Sequence, residues 1–593
     1  MTFRFSPRPN RAAEIGWRDW DEKAFQEAQV ADKPILLAIS AVWCHWCHVM
    51  DETSYSDPEV IRMINDRYVP IRVDNDERPD VNRRYNMGGW PTTAFLTPDG
   101  EVVHGGTYVP PEAMRSYLTQ VDEVWRTRKA DLTQHVAELR EKERDARTPK
   151  PGDLTSEIVD GVASLVRGQY DPQFGGFGRE PKFPQPKVLR FVLDEYRRFG
   201  YPELATMLHK TLAAMAGGGM HDSVAGGFFR YATTRQWEIP HYEKMLEDNA
   251  ELLSVYAQAH RTFPSAGYDR VVRDVIGWMD AVLWRDELEL WSGSQDADEH
   301  YYVLDANERT KHVAPFVDRT LYTGWNALAV SGYFAAATAL GDDRVGDRAD
   351  RAMRALTKRM WDVNTTSLSH FVAGSGRALT DQLGDLAGYL AALLDAYETG
   401  RHPAALAGAV AVATTLRDRL QDREHGGLFD GPSRVEPGRL GVRERPLEEN
   451  ALAADGLLRL AVATGENEWR ELAIRTLRSF VGEYRQWGQF AAVYANAVAR
   501  ALAEPIALTV VGPDGDPLAE SLWRRARAAT EPAVSVARIV PARDAERLRT
   551  LGFPADRSAA YVCVGTACSA PITDEASLAR QLEETSQRHA RAS

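Results

Sequence analysis

Residues 33–50 read KPILLAISAVWCHWCHVM, and this stretch decides the fold of the first part of the chain. Pro34–Ser40 is an apolar run of buried-strand length. It leads into Trp43-Cys44-His45-Trp46-Cys47-His48, where helical spacing begins. A C-x-x-C pair at the start of a helix has a physical use. Free N–H groups and a partial positive charge at the helix N-terminus stabilise a thiolate on the first cysteine. Two intervening residues place the second thiol where it resolves a mixed disulfide. His45, when protonated, would lower the Cys44 pKa further. The same residues admit other readings. Cys44–His48 also spells C-x-x-C-H, the c-type haem attachment pattern, which needs an export route and an axial partner. Zinc binding by Cys44, Cys47 and the adjacent histidines would be helped by a second C-x-x-C pair, and none stands nearby. An inert structural pair is the remaining reading.

Short strand and helix signals alternate on both sides of this stretch. Trp20–Val30 has helical spacing, as do residues 45–55 and 58–67. Val69–Val73, Thr93–Thr97 and Glu101–His104 read as strands, with a Pro98-Asp99-Gly100 turn between the last two. A long polar helix is expected from about Pro111 to Arg147, and Pro149-Lys150-Pro151-Gly152 reads as a linker. Gly88-Gly89-Trp90-Pro91-Thr92-Thr93 precedes the third strand. In thioredoxin-like folds a cis-proline faces the cysteine pair and leaves backbone groups free for an extended substrate. Pro91 has the order and spacing for that role, although sequence does not reveal the isomer. Trp43, His45, Trp46, Trp90 and Pro91 are the candidate substrate groove.

The segments KPILLAIS, WCHWCHVM, IRVDNDERPD, GGWPTTAFLTPDG and GGTYVP resemble the thioredoxin domain of the spermatogenesis-associated/DsbH-like thioredoxin-domain proteins. The resemblance continues through FGGFGREPKFP (174–184), the stretch from Asp222 to Ala250, QDAD (295–298) and GWNALAV (324–330). It implies a thioredoxin-like domain joined to a six-hairpin barrel similar to N-acylglucosamine 2-epimerases and glycosidases. It also implies that Cys44 attacks, Cys47 resolves and Pro91 is the cis-proline.

Residues 153–503 have a texture of their own. Helical patterns of fifteen to twenty residues recur, separated by Gly/Pro-rich loops. They number about twelve, or six hairpins. Gly175-Gly176-Phe177, Gly226-Gly227-Phe228 and Gly426-Gly427-Leu428-Phe429 look like related turns at hairpin ends. Such a repeat suggests a closed α/α toroid, with an open solenoid as the alternative. Its polar motifs cluster in loops: Asp222, His241, Glu243, Lys244, Asp248, Asp296, Asp298, Trp325, Asn326 and Asp385. Paired carboxylates act as general acid and base in glycoside cleavage, and histidine with carboxylate abstracts protons in epimerisation. Carboxylates at helix starts are also common caps. Trp237, Trp291 and Trp325 neighbour these motifs, as sugar platforms or as core.

Residues 505–593 alternate strand and helix again and form a small α/β unit. Cys563 and Cys568 lie there, after a strand. Either they are unrelated thiols, or they serve redox or metal chemistry, even by exchange with Cys44 and Cys47.

The fold class is thus multidomain: 1–148 thioredoxin-like, 153–503 an (α/α)6 barrel, 505–593 a small α/β domain. The 593 residues, 44% hydrophobic and 26% charged, belong to a folded protein rather than a disordered one. With 71 Lys+Arg against 85 Asp+Glu the net charge is −14, which repels a phosphate backbone, so a nucleic-acid partner is not expected. Four cysteines in 593 residues exclude a disulfide scaffold. The opening residues contain no signal-peptide core and no apolar run reaches about 18 residues, so a cytoplasmic protein without a membrane partner is expected. No cofactor and no metal is implied. The expected activity is thiol–disulfide exchange on a protein or small molecule. The alternatives are a carbohydrate-active enzyme with a regulatory or vestigial thioredoxin unit, and a non-enzymatic binding scaffold. A carbohydrate-like ligand remains an expectation for the toroid.

Overall fold

The computed structural model describes residues 3–146, 149–372, 379–530, 534–565 and 567–592. Three units follow one another along the chain.

The first unit is a four-stranded sheet with helices on it. Helix α1 spans Glu22–Ala31, β1 Ile35–Ser40, α2 His45–Glu52, α3 Pro58–Arg67, β2 Val69–Asp74, α4 Pro79–Tyr85, β3 Thr92–Leu96, β4 Val102–Gly106 and α5 Pro111–Ala146. Strand order is β2-β1-β3-β4. Leu37 pairs with Ile71 in parallel and with Ala94 antiparallel, so β1 is central. That explains its unbroken apolar run: Ile35, Leu36, Leu37 and Ile39 are fully buried, with side chains packed on both faces. Helix α3 starts at Pro58, with Asp57 accepting hydrogen bonds from the Glu59 and Val60 N–H groups. Helix α4 has no counterpart among the sequence expectations; seven residues are too few to show a period.

The second unit consists of twelve principal helices in hairpins. They are α6 Ser156–Gln169, α7 Pro186–Phe199, α8 Pro202–Gly217, α9 Leu246–Thr262, α10 Tyr268–Trp278, α11 Thr323–Leu340, α12 Asp343–Met360, α13 Leu383–Glu398, α14 Ala405–Thr415, α15 Leu447–Thr464, α16 Asn467–Arg478 and α17 Ala492–Leu502. Helices α7, α9, α11, α13, α15 and α17 each pack on the next, and α17 packs back on α7. The ring therefore closes: it is an (α/α)6 toroid, not an open solenoid. Inner helices such as α13 are buried almost all round, whereas the outer α12 buries Ala349, Ala352, Met353 and Leu356 and turns its arginines and aspartates outward.

Two side-chain devices repeat around the ring. Asp171, Asp222 and Asp422 each accept backbone N–H groups two and three residues on, shaping the three glycine-rich turns. Asn249, Asn326 and Asn450 each occupy the fourth position of an inner helix. Their side-chain amides bond both backbone groups of Phe228, Trp291 and Leu428 respectively.

The third unit has β5 Ile506–Val511, α18 Pro517–Arg527, β6 Val534–Ile539, α19 Ala545–Leu551, β7 Ala559–Val564, β8 Ala567–Cys568 and α20 Glu575–Ala592. Its order is β6-β5-β7-β8, with β5–β6 parallel and β5–β7 and β7–β8 antiparallel. This repeats the strand order and directions of the first sheet.

The two α/β units close opposite ends of the toroid. The first sits on the N-terminal ends of the inner helices: Arg83 bonds Glu449 at the start of α15, and Arg84 pairs with Asp430 at 2.8 Å. Gly100 meets Gly438 there so closely that a Cβ on Gly100 would lie 2.5 Å from the Gly438 Cα. The third unit sits on the C-terminal ends: Arg527 donates to Thr338 at 2.9 Å and Arg547 to the Ala463 carbonyl at 2.8 Å. Among the described residues no helix is long and apolar enough to cross a membrane.

Candidate functional site

Cys44 is the N-cap of α2, and its sulfur accepts the Cys47 N–H at 3.2 Å. The two cysteines form a disulfide. The Trp90–Pro91 bond is cis. Trp43 and Trp90 meet edge to face at 5.7 Å, and the Trp43 indole N–H donates to Asp76 at 2.7 Å. Burial raises Asp76 to about 6 despite that hydrogen bond. Also on α2, His48 is pushed down to about 4 by burial and the nearby Arg4 charge.

The toroid supplies the other wall. Cys44 and Cys47, only 4% and 2% exposed, share one buried cluster with Trp43 and Met245, and Trp325 packs against it. Met245 immediately precedes α9 and Trp325 lies in the first turn of α11, so the ring places both over the sulfurs. The Arg230 guanidinium lies 4.0 Å from the Trp43 ring centroid and 5.0 Å from that of Trp90. At the rim, His45 stands 6.3 Å from His241, and Trp46 remains 45% exposed.

Below this roof the mouth of the lumen is acidic. Glu247 is raised to about 8 by burial, with the Lys187 charge opposing. Asp248 is raised to about 6 by burial, with Arg230 opposing, and its Oδ2 is sealed from solvent without a hydrogen-bond partner. Lys187 reaches both Glu251 and Glu448 at 2.8 Å, tying α7 to α9 and α15 across the opening. Beyond it the lumen encloses a cavity of about 1320 Å³, running to Val562 and Cys568 at the far end.

The sequence candidates divide into mouth and framework. His241 holds Glu243 at 3.0 Å; burial lowers the histidine, but this bond and the carboxylate charge outweigh it and raise its pKa. Asp296, raised to about 7 by burial, lies 3.5 Å from Arg4 and 3.9 Å from His48, joining the first unit to the mouth. Asp385 bonds His370 at 2.7 Å, and the other nitrogen of His370 reaches the Asp76 carbonyl at 2.7 Å. Asp248 and Trp325 belong to the mouth as described.

Four candidates are corrected from ligand positions to framework. Asp222 is enclosed by Lys244 at 2.6 Å and Arg309 at 2.8 Å. Burial raises its pKa, but these cations outweigh it and hold it at about 2. Lys244 is spent in the same network, lowered to about 8 by burial. Asn326 is the hairpin clasp described above. Asp298 caps a short helix through the His300 and Tyr301 N–H groups. Trp237 and Trp291 are completely buried core, not platforms. Sequence reasoning missed Arg230 and Lys187, which no local pattern marks, and Asp76, which stood in the quoted acidic run.

Cys563 and Cys568 face each other across β7 and β8 and form a second disulfide. This corrects the reading of the two as unrelated thiols and leaves the suggested exchange with Cys44 and Cys47 without support. The pairs lie at opposite ends of the inner helices, and the 17 residues of α9 alone span about 25 Å.

The family described as "Thioredox_DsbH: Protein of unknown function, DUF255" matches residues 8–143. Spermatogenesis-associated protein 20 of Homo sapiens is 26% identical, over 96% of this chain and 90% of that protein. The thiol:disulfide interchange protein DsbD of Campylobacter jejuni is 35% identical over 79 residues, 13% of this chain and 14% of that protein. A solved sugar epimerase from a ruminal bacterium is 13% identical, with TM-score 0.45, covering 55% of this chain and 87% of that one.

Proposed function

We propose that the protein is a thiol–disulfide oxidoreductase whose cysteine pair works against the mouth of the toroid. The observation that carries this reading is Cys44 as helix N-cap, its sulfur receiving a backbone N–H and its disulfide partner one turn on. A thiolate at Cys44 keeps that hydrogen bond and the favourable end of the helix dipole. In the reduced protein Cys44 attacks a disulfide, and Cys47 then attacks the mixed disulfide and releases the second thiol. The 79-residue similarity to DsbD supports the same chemistry. Within this reading the protein works in the cytoplasm, where a thiol pool returns the pair to its reduced state. A single-turnover assay with pre-reduced protein tests it: wild type is expected to consume one disulfide per pair, and Cys44→Ser none. Equal consumption by both would end the proposal.

One observation favours a second reading, a carbohydrate-active toroid. Glu247, held protonated near neutrality, beside the more acidic Asp248 is the kind of split that acid–base catalysis on a sugar uses. That reading predicts saccharide turnover lost in Glu247→Gln and untouched in Cys44→Ser. The cysteine pair packed on Met245, just ahead of those carboxylates in the chain, favours the first.

A further inference from the structure

A cysteine pair that serves proteins has to meet an extended polypeptide segment, and this one is covered. Cys44 and Cys47 lie beneath Met245 and Trp325, with Arg230 over the neighbouring tryptophans. The cover is anchored by the Arg84–Asp430 ion pair and the His370–Asp76 bond, so it belongs to the folded chain. Solvent meets the site at the rim of His45, Trp46 and His241 and reaches Trp90, Arg230 and Asp248 in part.

Two charged groups beside the sulfurs lack partners. The Arg230 guanidinium makes no hydrogen bond or ion pair with any described residue; it only stacks on Trp43 and Trp90. The Asp248 carboxylate likewise makes none, with Oδ2 shut away from water. Asp248 stands in the first turn of α9, three residues after the Met245 of the cysteine cluster, and Arg230 stacks on the Trp43 of that cluster, so they occupy one neighbourhood. Both residues are half-buried, and two opposite charges left without a protein partner in one partly dry site suit a ligand carrying both complements. The guanidinium fork suits a carboxylate and the aspartate suits an ammonium.

We propose that the substrate is a low-molecular-weight disulfide of the α-amino acid type, its carboxylate on Arg230 and its ammonium on Asp248, and not a folded protein. This rests on the oxidoreductase reading above. The Cys44 thiolate attacks one sulfur of the substrate, forming Cys44–S–S–R and releasing one thiolate. Cys47 then attacks the Cys44 sulfur, closing the Cys44–Cys47 disulfide and releasing the second. Two electrons pass from the pair to the substrate, and the proton lost by Cys47 together with one from water protonates the two released thiolates.

The test is single-turnover kinetics of the whole chain, pre-reduced with a phosphine and freed of it. Four disulfides are compared: L-cystine, the dication cystamine, the dianion 3,3′-dithiodipropionate, and insulin. Cystine is expected to react fastest, about tenfold or more ahead of the two singly matched compounds, with insulin slowest of all. Arg230→Gln is expected to lower the cystine and dithiodipropionate rates about tenfold relative to cystamine. Asp248→Asn is expected to lower cystine and cystamine relative to dithiodipropionate. Insulin reacting as fast as cystine, or the three small disulfides reacting alike, overturns the proposal while leaving the oxidoreductase reading intact. If no disulfide is consumed, both fall. Should either variant fail to fold, the wild-type series decides alone.

Discussion

The two α/β units at the ends of the toroid have sheets of the same strand order and the same directions, yet only one carries a C-x-x-C pair at its first helix. In the first unit the loop after the leading central strand is Trp43-Cys44-His45-Trp46-Cys47, and it opens onto the N-terminal ends of the inner helices. In the third unit the corresponding loop is Gly512-Pro513-Asp514-Gly515-Asp516, where Asp516 merely caps α18 by accepting the Ala519 N–H at 2.8 Å. Its cysteines lie instead across the β7–β8 hairpin, at the other end of the lumen. The sheet is a platform; the chemistry depends on the loop after its first strand and on which end of the ring that loop faces.

The strongest way to break this comparison is to exchange the roles of the pairs. Cys44→Ser is expected to abolish disulfide consumption, a loss on the order of a thousandfold or more, because no other thiol occupies the helix N-cap. The double variant Cys563→Ser/Cys568→Ser is expected to keep the wild-type rate within about twofold. A comparable loss in both would put the two pairs in one pathway.

Next in size is the anchoring of the first unit. Arg84 is a nearly buried cation that pairs with Asp430 and also donates to the Arg439 and Val442 carbonyls. Arg84→Ala leaves Asp430 without this partner and is expected to cost about 3–5 kcal/mol in denaturant unfolding. Loss of the cover should also raise insulin reduction. Unchanged stability would mean that the first unit is not held as described.

A smaller effect belongs to the third unit. The Cys563–Cys568 bridge closes a loop of only a few residues between strands already in register. Removing it is expected to lower stability by about 2 kcal/mol on loop-entropy grounds, measured by chemical denaturation. A much larger loss would give the hairpin a central place in the toroid's closure.

The effect that starts smallest, and grows with pH, tests the acidic mouth. Glu247 ionises near 8 in the folded protein against an ordinary value of 4.5, so the native state holds its proton where the unfolded chain has lost it. This contribution to stability therefore falls as pH rises through that window. Glu247→Gln should match wild type below about pH 4, gain on the order of 1 kcal/mol by about pH 5.5, and gain more as pH rises toward 8. A difference independent of pH would show that Glu247 does not ionise within that window.

Much of the fold was legible because its elements are long and periodic. The recurrence of about twelve long helical patterns in six hairpins corresponds to the twelve principal helices of the ring among the described residues. The short strands between hairpins escaped, since two residues show no period. The Asn249-Ala250, Asn326-Ala327 and Asn450-Ala451 repeat was visible but was not read as a clasp. Asp222 and Lys244 looked like an open site because sequence shows charge and hides pairing; Arg309, 65 residues beyond Lys244, completes their network.

Local sequence determined the sulfur chemistry. An apolar strand, a helix start and two cysteines three positions apart create the N-cap thiol wherever the domain is placed, because strand burial and helix capping are set by neighbours in the chain. Only the closed ring decided what faces that thiol. Arg230, Met245 and Asp248 lie on the approach to and first turn of α9 and Trp325 on α11, and both are set against the first unit by burying the apolar faces of six inner helices against one another, a non-directional force that no short segment records.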